Sequence, residues 1–159
     1  MKTLVVVYSR TGNTLSVAKR IAKELDANLE IIRDKIDRKG ILGFLRSGYE
    51  SVRKKVPAIV EPKYDPRDFD LVIIGTPIWA GSMSSPVRAY ILRFHGQFKR
   101  VAFFATSAGG SHDKALNEMA ELAEAKPLAK IDISLNQLKR DNGEGVIKTF
   151  IEAIRSQEI

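Results

Sequence analysis

The sequence contains no cysteine and only two histidines, His95 and His112. Without cysteine there are no disulfides, no thiolate metal ligands and no cysteine nucleophile, which excludes phosphatases that use a Cys-x5-Arg loop. A zinc site would need carboxylates beside the histidines, and none stands at ligand spacing. We therefore expect no metal site.

Long apolar runs and an N-terminal signal segment are also missing. No run approaches the length of a membrane span, and the chain enters a strand within its first residues. We therefore expect a cytoplasmic protein with no membrane partner. At 159 residues, of which 44% are hydrophobic and 28% charged, the chain is expected to form one domain over residues 1–159.

Acidic residues are too few to balance the basic ones, and the formal net charge is +7. Much of the excess lies in residues 33–67, which hold ten Lys or Arg and five Asp or Glu. The charge raises nucleic acid as a partner, but no recognised nucleic-acid motif is present, so we expect none. The basic segment is either a solvated helix end or a docking face for an acidic partner.

Hydrophobic periodicity predicts five strands that alternate with helices. Three strands are apolar throughout, near residues 4–8, 70–75 and 100–106, whereas the second and fifth, near residues 28–33 and 128–135, carry charges or alternate. This pattern predicts an α/β fold with a doubly wound parallel sheet of order 2-1-3-4-5, in three layers. Ligands of such sheets bind beyond the carboxyl ends of the strands, between the first and third. Between residues 41 and 52, apolar side chains at helical spacing predict a further, glycine-weakened helix.

The turn after the first strand, Ser9-Arg10-Thr11-Gly12-Asn13-Thr14, opens a helix. Backbone N–H groups at a helix N-terminus attract anions, and the hydroxyls of Ser9, Thr11 and Thr14 add donors. Such residues also serve as ordinary N-caps, but a cap needs only one or two of them. The density of these residues favours a phosphate site, held mainly by neutral donors.

Two more unusual loops follow the third and fourth strands. Residues 76–82 contain the single tryptophan, Trp79, among small residues, and residues 107–111 bring glycine backbone close to the same edge. Together with the first turn, these loops suit a planar aromatic ring that carries a phosphate. Trp79 could alternatively be a partly buried aromatic that closes the end of the sheet.

These residues resemble the flavodoxin family over the whole chain. Residues 9–14 match the Ser/Thr-x-Thr-Gly-Asn-Thr phosphate loop of flavodoxins, and residues 76–81 look like their aromatic flavin loop. With no insertion in the fifth strand, the chain is similar to the short-chain form. The resemblance implies noncovalently bound FMN, with flavodoxin itself being a known case of the 2-1-3-4-5 order.

The resemblance also implies which residues bind FMN. The phosphate would be held by Ser9, Arg10, Thr11, Gly12, Asn13 and Thr14. One side of the ring system would lie against Thr76, Pro77, Ile78, Trp79, Ala80 and Gly81, with Trp79 stacked on it. The other side, and the polar edge, would lie against Ser107, Ala108, Gly109 and Gly110.

Two departures from electron-carrier flavodoxins are visible. The third loop has no aromatic residue, so one flavin face is expected to be open, and the chain is basic where those proteins are acidic. We expect an electron carrier between redox partner proteins, and the basic charge raises the option that these partners have acidic docking surfaces. The alternative is an FMN-dependent NAD(P)H:quinone or related small-molecule oxidoreductase that uses the open face. His112 is the only obvious acid/base candidate, and no catalytic residue is assigned.

Overall fold

A computed structural model describes residues 1–158 and has a parallel sheet at its centre. The strands are β1 (Thr3–Val7), β2 (Asn28–Ile31), β3 (Leu71–Trp79), β4 (Ser82–Met83), β5 (Val101–Ser107) and β6 (Pro127–Ser134). Their order is β2-β1-β3-β5-β6, and the short β4 pairs antiparallel with β3. The predicted order 2-1-3-4-5 is confirmed, because the two-residue β4 only shifts the numbering of the later strands.

Helices cover both faces of the sheet. They are α1 (Asn13–Leu25), α2 (Gly40–Val52), α3 (Ser85–Phe94), α4 (Asp113–Ala123), α5 (Leu135–Asp141) and α6 (Glu144–Arg155). Sequence reasoning missed the short α5, although Ser134 and Gln137 form a capping box at its start, which is a readable signal. Within residues 1–158, no helix is long and apolar enough to cross a bilayer.

Two cores lie on opposite faces of the sheet, because alternate strand residues point to opposite sides. On one face, Val5, Ile73 and Phe104 pack with residues of α1 and α6. On the other, Val6 and Phe103 pack with residues of α3 and α4. The two buried faces explain why β1, β3 and β5 read as unbroken apolar runs.

The third strand is longer than the sequence indicated. Residues 76–79 were expected in a loop, but they continue β3 through Trp79. β1 pairs with β3 only as far as Gly75, so Pro77 lies beyond β1 and still pairs in register with β5. Proline is tolerated in a strand where the neighbour on one side has ended. The expected loop is therefore wrong in form, and the segment instead forms a hairpin with β4.

Candidate functional site

The carboxyl ends of β1, β3 and β5 open onto a cleft of about 500 Å³. This volume lies in the range of small-molecule and cofactor sites. The structure brings all three predicted segments to the cleft. Its lining includes ten of the predicted residues: Arg10, Thr11, Asn13, Thr14, Pro77, Ile78, Trp79, Ala80, Ser107 and Ala108.

The other six predicted residues lie beside the cleft rather than in its lining. The Ser9 hydroxyl accepts a hydrogen bond from the Gly12 N–H at 3.0 Å, which closes the turn locally. Thr76 is buried, and its hydroxyl accepts from the Ser84 N–H at 2.9 Å. Gly81 lies in the hairpin turn, and the exposed Gly109 and Gly110 continue the third loop.

The first turn leaves the N-terminus of α1 open. The capping position is Gly12, with φ of 104°, and no side chain caps the helix. Thr14 lies within the first turn of α1, and its buried hydroxyl is 2.8 Å from that of Thr106. Within residues 1–158, the backbone N–H groups of this first helical turn therefore have no side-chain partner. This observation favours the anion site over the simple N-cap interpretation.

The hairpin between β3 and β4 holds Trp79 in a fixed position. Ala80 and Gly81 form its two-residue turn, both with positive φ (50° and 79°), as a type I′ turn requires. Tyr8 and Trp79 meet in a T-shaped arrangement, with 5.5 Å between ring centroids and 88° between planes. Burial, with a smaller effect of Asp34, raises the pKa of Tyr8 to about 12. The phenol that packs on Trp79 is therefore uncharged at physiological pH.

A fourth wall of the cleft comes from α2, which sequence reasoning did not include. Phe44, Leu45, Ser47 and Gly48 line the cleft, together with Thr106 of β5 and Leu135 of α5. The predicted helix is confirmed, but it packs with its polar side inward. Ser47, Glu50 and Ser51 are buried, whereas the large apolar residues of α2 are exposed. The sequence signal was the pair Ser47 and Glu50 on the side opposite the apolar stripe.

Arg38 holds α2 in this orientation. The residue is only 3% exposed. Its guanidinium pairs with Asp34 and donates hydrogen bonds to Glu50 Oε2 at 2.5 Å and to Ser47 Oγ at 3.3 Å. Burial opposes the charge, but the hydrogen bonds and charges of Asp34 and Glu50 outweigh it and raise the pKa of Arg38. Gly43 permits the close packing, because a Cβ there would lie 2.1 Å from the Arg38 carbonyl.

The same arginine connects α2 to the rest of the cleft. Its guanidinium carbon lies 5.2 Å from the centroid of the Trp79 ring, and its carbonyl accepts from Arg10 Nη1 at 3.3 Å. Arg10 also lies over the Phe44 ring at 5.4 Å. The first turn, the Trp79 hairpin and α2 are thus joined through one buried residue, by its side chain and its backbone carbonyl.

His112 lies next to the third loop but outside the cleft lining. Its Nδ1 is 2.7 Å from Asp132 Oδ2, and the Ser107 hydroxyl donates to Asp132 Oδ1 at 3.1 Å. The carboxylate therefore links the histidine to a residue of the lining. This arrangement gives His112 a fixed partner at the start of α4.

The cleft combines two chemical environments. Uncapped N–H groups and the side chains of Thr11 and Asn13 lie at the first turn, while Trp79, Ile78, Phe44 and Leu45 supply apolar walls. A ligand with a terminal anion and a flat aromatic body fits both. The cleft thus matches the ligand chemistry that the three segments predicted.

The family model for NADPH-dependent FMN reductase matches residues 1–143. The chain belongs to this family. It is an FMN-binding flavoprotein with a flavodoxin-like fold. The general resemblance to flavodoxin-like FMN proteins is therefore confirmed, whereas the family model differs from the expected short-chain flavodoxin.

Solved structures of flavoproteins are similar to the chain over most of its length. A flavoprotein from Bacteroides uniformis is 25% identical, with 95% of this chain and 97% of the other covered and a TM-score of 0.79. A Lactobacillus acidophilus flavoprotein, solved in complex with FMN, is 23% identical, with 87% and 97% covered and a TM-score of 0.71. Flavodoxin 2 from Bacillus cereus is 18% identical, with 99% of each chain covered and a TM-score of 0.59. A comparison with curated proteins found no significant match.

The Arg38 pairing gives a stability prediction for Glu50→Gln. Burial opposes the charge of Glu50, but hydrogen bonds from Arg46, Arg38 and Ser85 outweigh it and hold its pKa below the usual value. Breaking a buried ion pair from one side costs about 3 kcal/mol, and we expect a loss of this order in urea unfolding of Glu50→Gln at neutral pH. Glu152→Gln, on the exposed side of α6, is the control and should change stability by less than about 0.5 kcal/mol.

The variant Glu50→Gln also tests how the contribution of this pairing to stability depends on pH. Because the pKa of Glu50 is lower in the folded chain than in the unfolded one, its charge stabilises the fold. This contribution is complete above the ordinary glutamate pKa of 4.5, and it is lost as the pH falls from there through the lower pKa of the folded chain. The difference in unfolding free energy between the original chain and Glu50→Gln should therefore shrink in acid. A difference that is absent at neutral pH, or that grows in acid, would contradict the role of Glu50.

Proposed function

We propose that this flavoprotein is an FMN-dependent NAD(P)H oxidoreductase that passes electrons to a quinone or a related small acceptor. The observation that carries the proposal is the third loop. Trp79 lines the cleft from the hairpin, whereas on the side of the third loop the lining consists of the small side chains of Ser107 and Ala108. Space on that side suits a second flat ring, and membership of the NADPH-dependent FMN reductase family supports a nicotinamide there.

The residues of the cleft fit FMN. The uncapped N-terminus of α1, with Thr11 and Asn13, would hold the phosphate, and Arg10 adds a positive charge nearby. Trp79 and Ile78 would lie against one side of the ring system. Ser107 and Ala108 would lie on the other side and leave part of it accessible.

FMN bound here would supply the redox chemistry, namely hydride transfer from a nicotinamide and electron transfer to an acceptor. The protein's own contribution is orientation and exclusion of water. Tyr8 and Arg38 keep Trp79 in one orientation, and Phe44 and Leu45 add an apolar wall. His112, fixed by Asp132, is a positioning group for the third loop through Ser107.

An electron carrier of the short-chain flavodoxin type is the second candidate. It is supported by the exposed surface of α2, which has basic residues around it and could meet an acidic redox partner protein. A carrier needs no space for a nicotinamide ring beside the flavin. The small side chains of the third loop therefore favour the reductase. Direct reaction of the bound flavin with NADPH distinguishes the two functions.

The phosphate site is tested by Thr11→Val, which removes an exposed hydroxyl without changing the side-chain shape. A hydrogen bond to a charged phosphate contributes enough that we expect FMN affinity to fall about tenfold. Riboflavin lacks the phosphate, so its affinity should not change. Flavin fluorescence titration measures both, with Thr149→Val on α6 as the matched control. Equal weakening of FMN and riboflavin would contradict the assignment.

The open face is tested by Ala108→Trp, with Ala108→Ser as the matched small control. The indole would occupy the space assigned to the nicotinamide, so anaerobic reduction of bound FMN by NADPH should slow at least about tenfold. FMN should bind no more weakly, because the added ring can stack on it. Stopped-flow absorbance follows the bleaching of the flavin. If neither NADPH nor NADH bleaches the FMN bound to the unmodified protein, an electron carrier is the better interpretation.

A further inference from the structure

Helix α2 turns its polar side toward the protein and its apolar side toward solvent, which is the reverse of an ordinary surface helix. Six large apolar residues share one side of it, within an arc of about 160° at 100° per residue. Their exposed fractions run from 58% for Tyr49 to 82% for Leu42. We call this surface the α2 apolar face; its residues are Ile41, Leu42, Phe44, Leu45, Tyr49 and Val52.

The α2 apolar face has a positive surround. Lys35 and Lys39 precede the helix, Arg53 and Lys55 follow it, and all four are exposed. The acidic side chains of Asp34 and Glu50 are turned inward to Arg38, and within residues 33–60 Asp37 is the exposed acid. The internal ion pairs thus remove negative charge from the surface and leave the cations outside.

We propose that the α2 apolar face docks on an anionic lipid surface, with α2 lying in the plane of the interface. A helix with an apolar side and flanking Lys or Arg residues binds membranes in this way, with the apolar side below the headgroups and the cations among them. The expectation of no membrane partner followed from the lack of a spanning segment, and a peripheral contact does not need one.

The residue types favour lipid over a protein partner. Most of the α2 apolar face is aliphatic, and its surround is rich in lysine. Protein interfaces are instead enriched in aromatic residues and arginine and depleted in lysine, and leucine and valine seldom dominate their binding energy. A second copy of this chain is disfavoured by charge, because it would bring the same cations against each other.

The docked surface is continuous with the cleft, since Phe44 and Leu45 belong to both. A chain docked through α2 would hold the cleft next to the lipid, where acceptors with long apolar tails dissolve. This consequence rests on the proposed function. It predicts that a long-chain quinone in vesicles is reduced faster than in detergent, whereas a short-chain quinone is not affected.

The direct test is co-sedimentation of the FMN-loaded protein with lipid vesicles. We expect binding to phosphatidylcholine vesicles that contain about one-third phosphatidylglycerol, little binding to pure phosphatidylcholine, and weakening by salt at about 1 M. Ile41→Ser with Leu42→Ser, both outside the cleft lining, should weaken binding roughly tenfold or more. Lys39→Glu with Lys55→Glu should do the same.

Matched controls keep the test specific. Ile31→Ser removes an exposed apolar residue from the edge strand β2, and Lys19→Glu with Lys23→Glu makes the same charge change on α1; neither should alter binding. No binding to anionic vesicles, or equal losses in the controls, would overturn the proposal. So would a stable dimer, or a complex with an acidic protein, that forms in place of lipid binding and depends on the same residues. Vesicle binding without any quinone reduction would instead refute the proposed function and leave the docking intact.

Discussion

The candidate site depends on the buried charge cluster around Arg38. A buried guanidinium is costly unless its donors are paired, and here Asp34, Glu50 and Ser47 pair them. The pairing places the polar side of α2 against the protein. The opposite, apolar side is therefore exposed, and Phe44 and Leu45 become a wall of the cleft. One cluster thus accounts for both the shape of the site and the unusual surface beside it.

The cluster also connects elements that are distant in the sequence. Arg38 contacts Trp79 through its guanidinium and Arg10 through its carbonyl, and Glu50 accepts from the Ser85 hydroxyl at 2.9 Å. An ion pair can hold several elements in register in this manner even where its net effect on stability is small. The sheet supplies a rigid edge, and Arg38 fixes the hairpin and α2 upon it. A flat cofactor would meet walls that are already in place, which lowers the cost of binding.

The central parts of the fold could be predicted from the sequence because their signals are local. Three unbroken apolar strands and two mixed ones were enough to order the sheet, and the turn at residues 9–14 indicated an anion site. The α2 wall could not be predicted in this way. Its helical spacing was visible, but its orientation depends on Arg38, whose ion-pair partners lie up to 12 residues away. The form of residues 76–79 was also missed, because pairing with β5 and β4 overrides the turn signal of Pro77.

The most direct test of the account is the fluorescence of Trp79 during a titration with FMN. Trp79 is the single tryptophan, so its emission reports on one wall of the cleft alone. If FMN lies in the cleft against that wall, saturation with FMN should quench most of the tryptophan emission, with the same affinity that flavin fluorescence gives. Unchanged Trp79 emission at saturation would place FMN elsewhere and contradict the account.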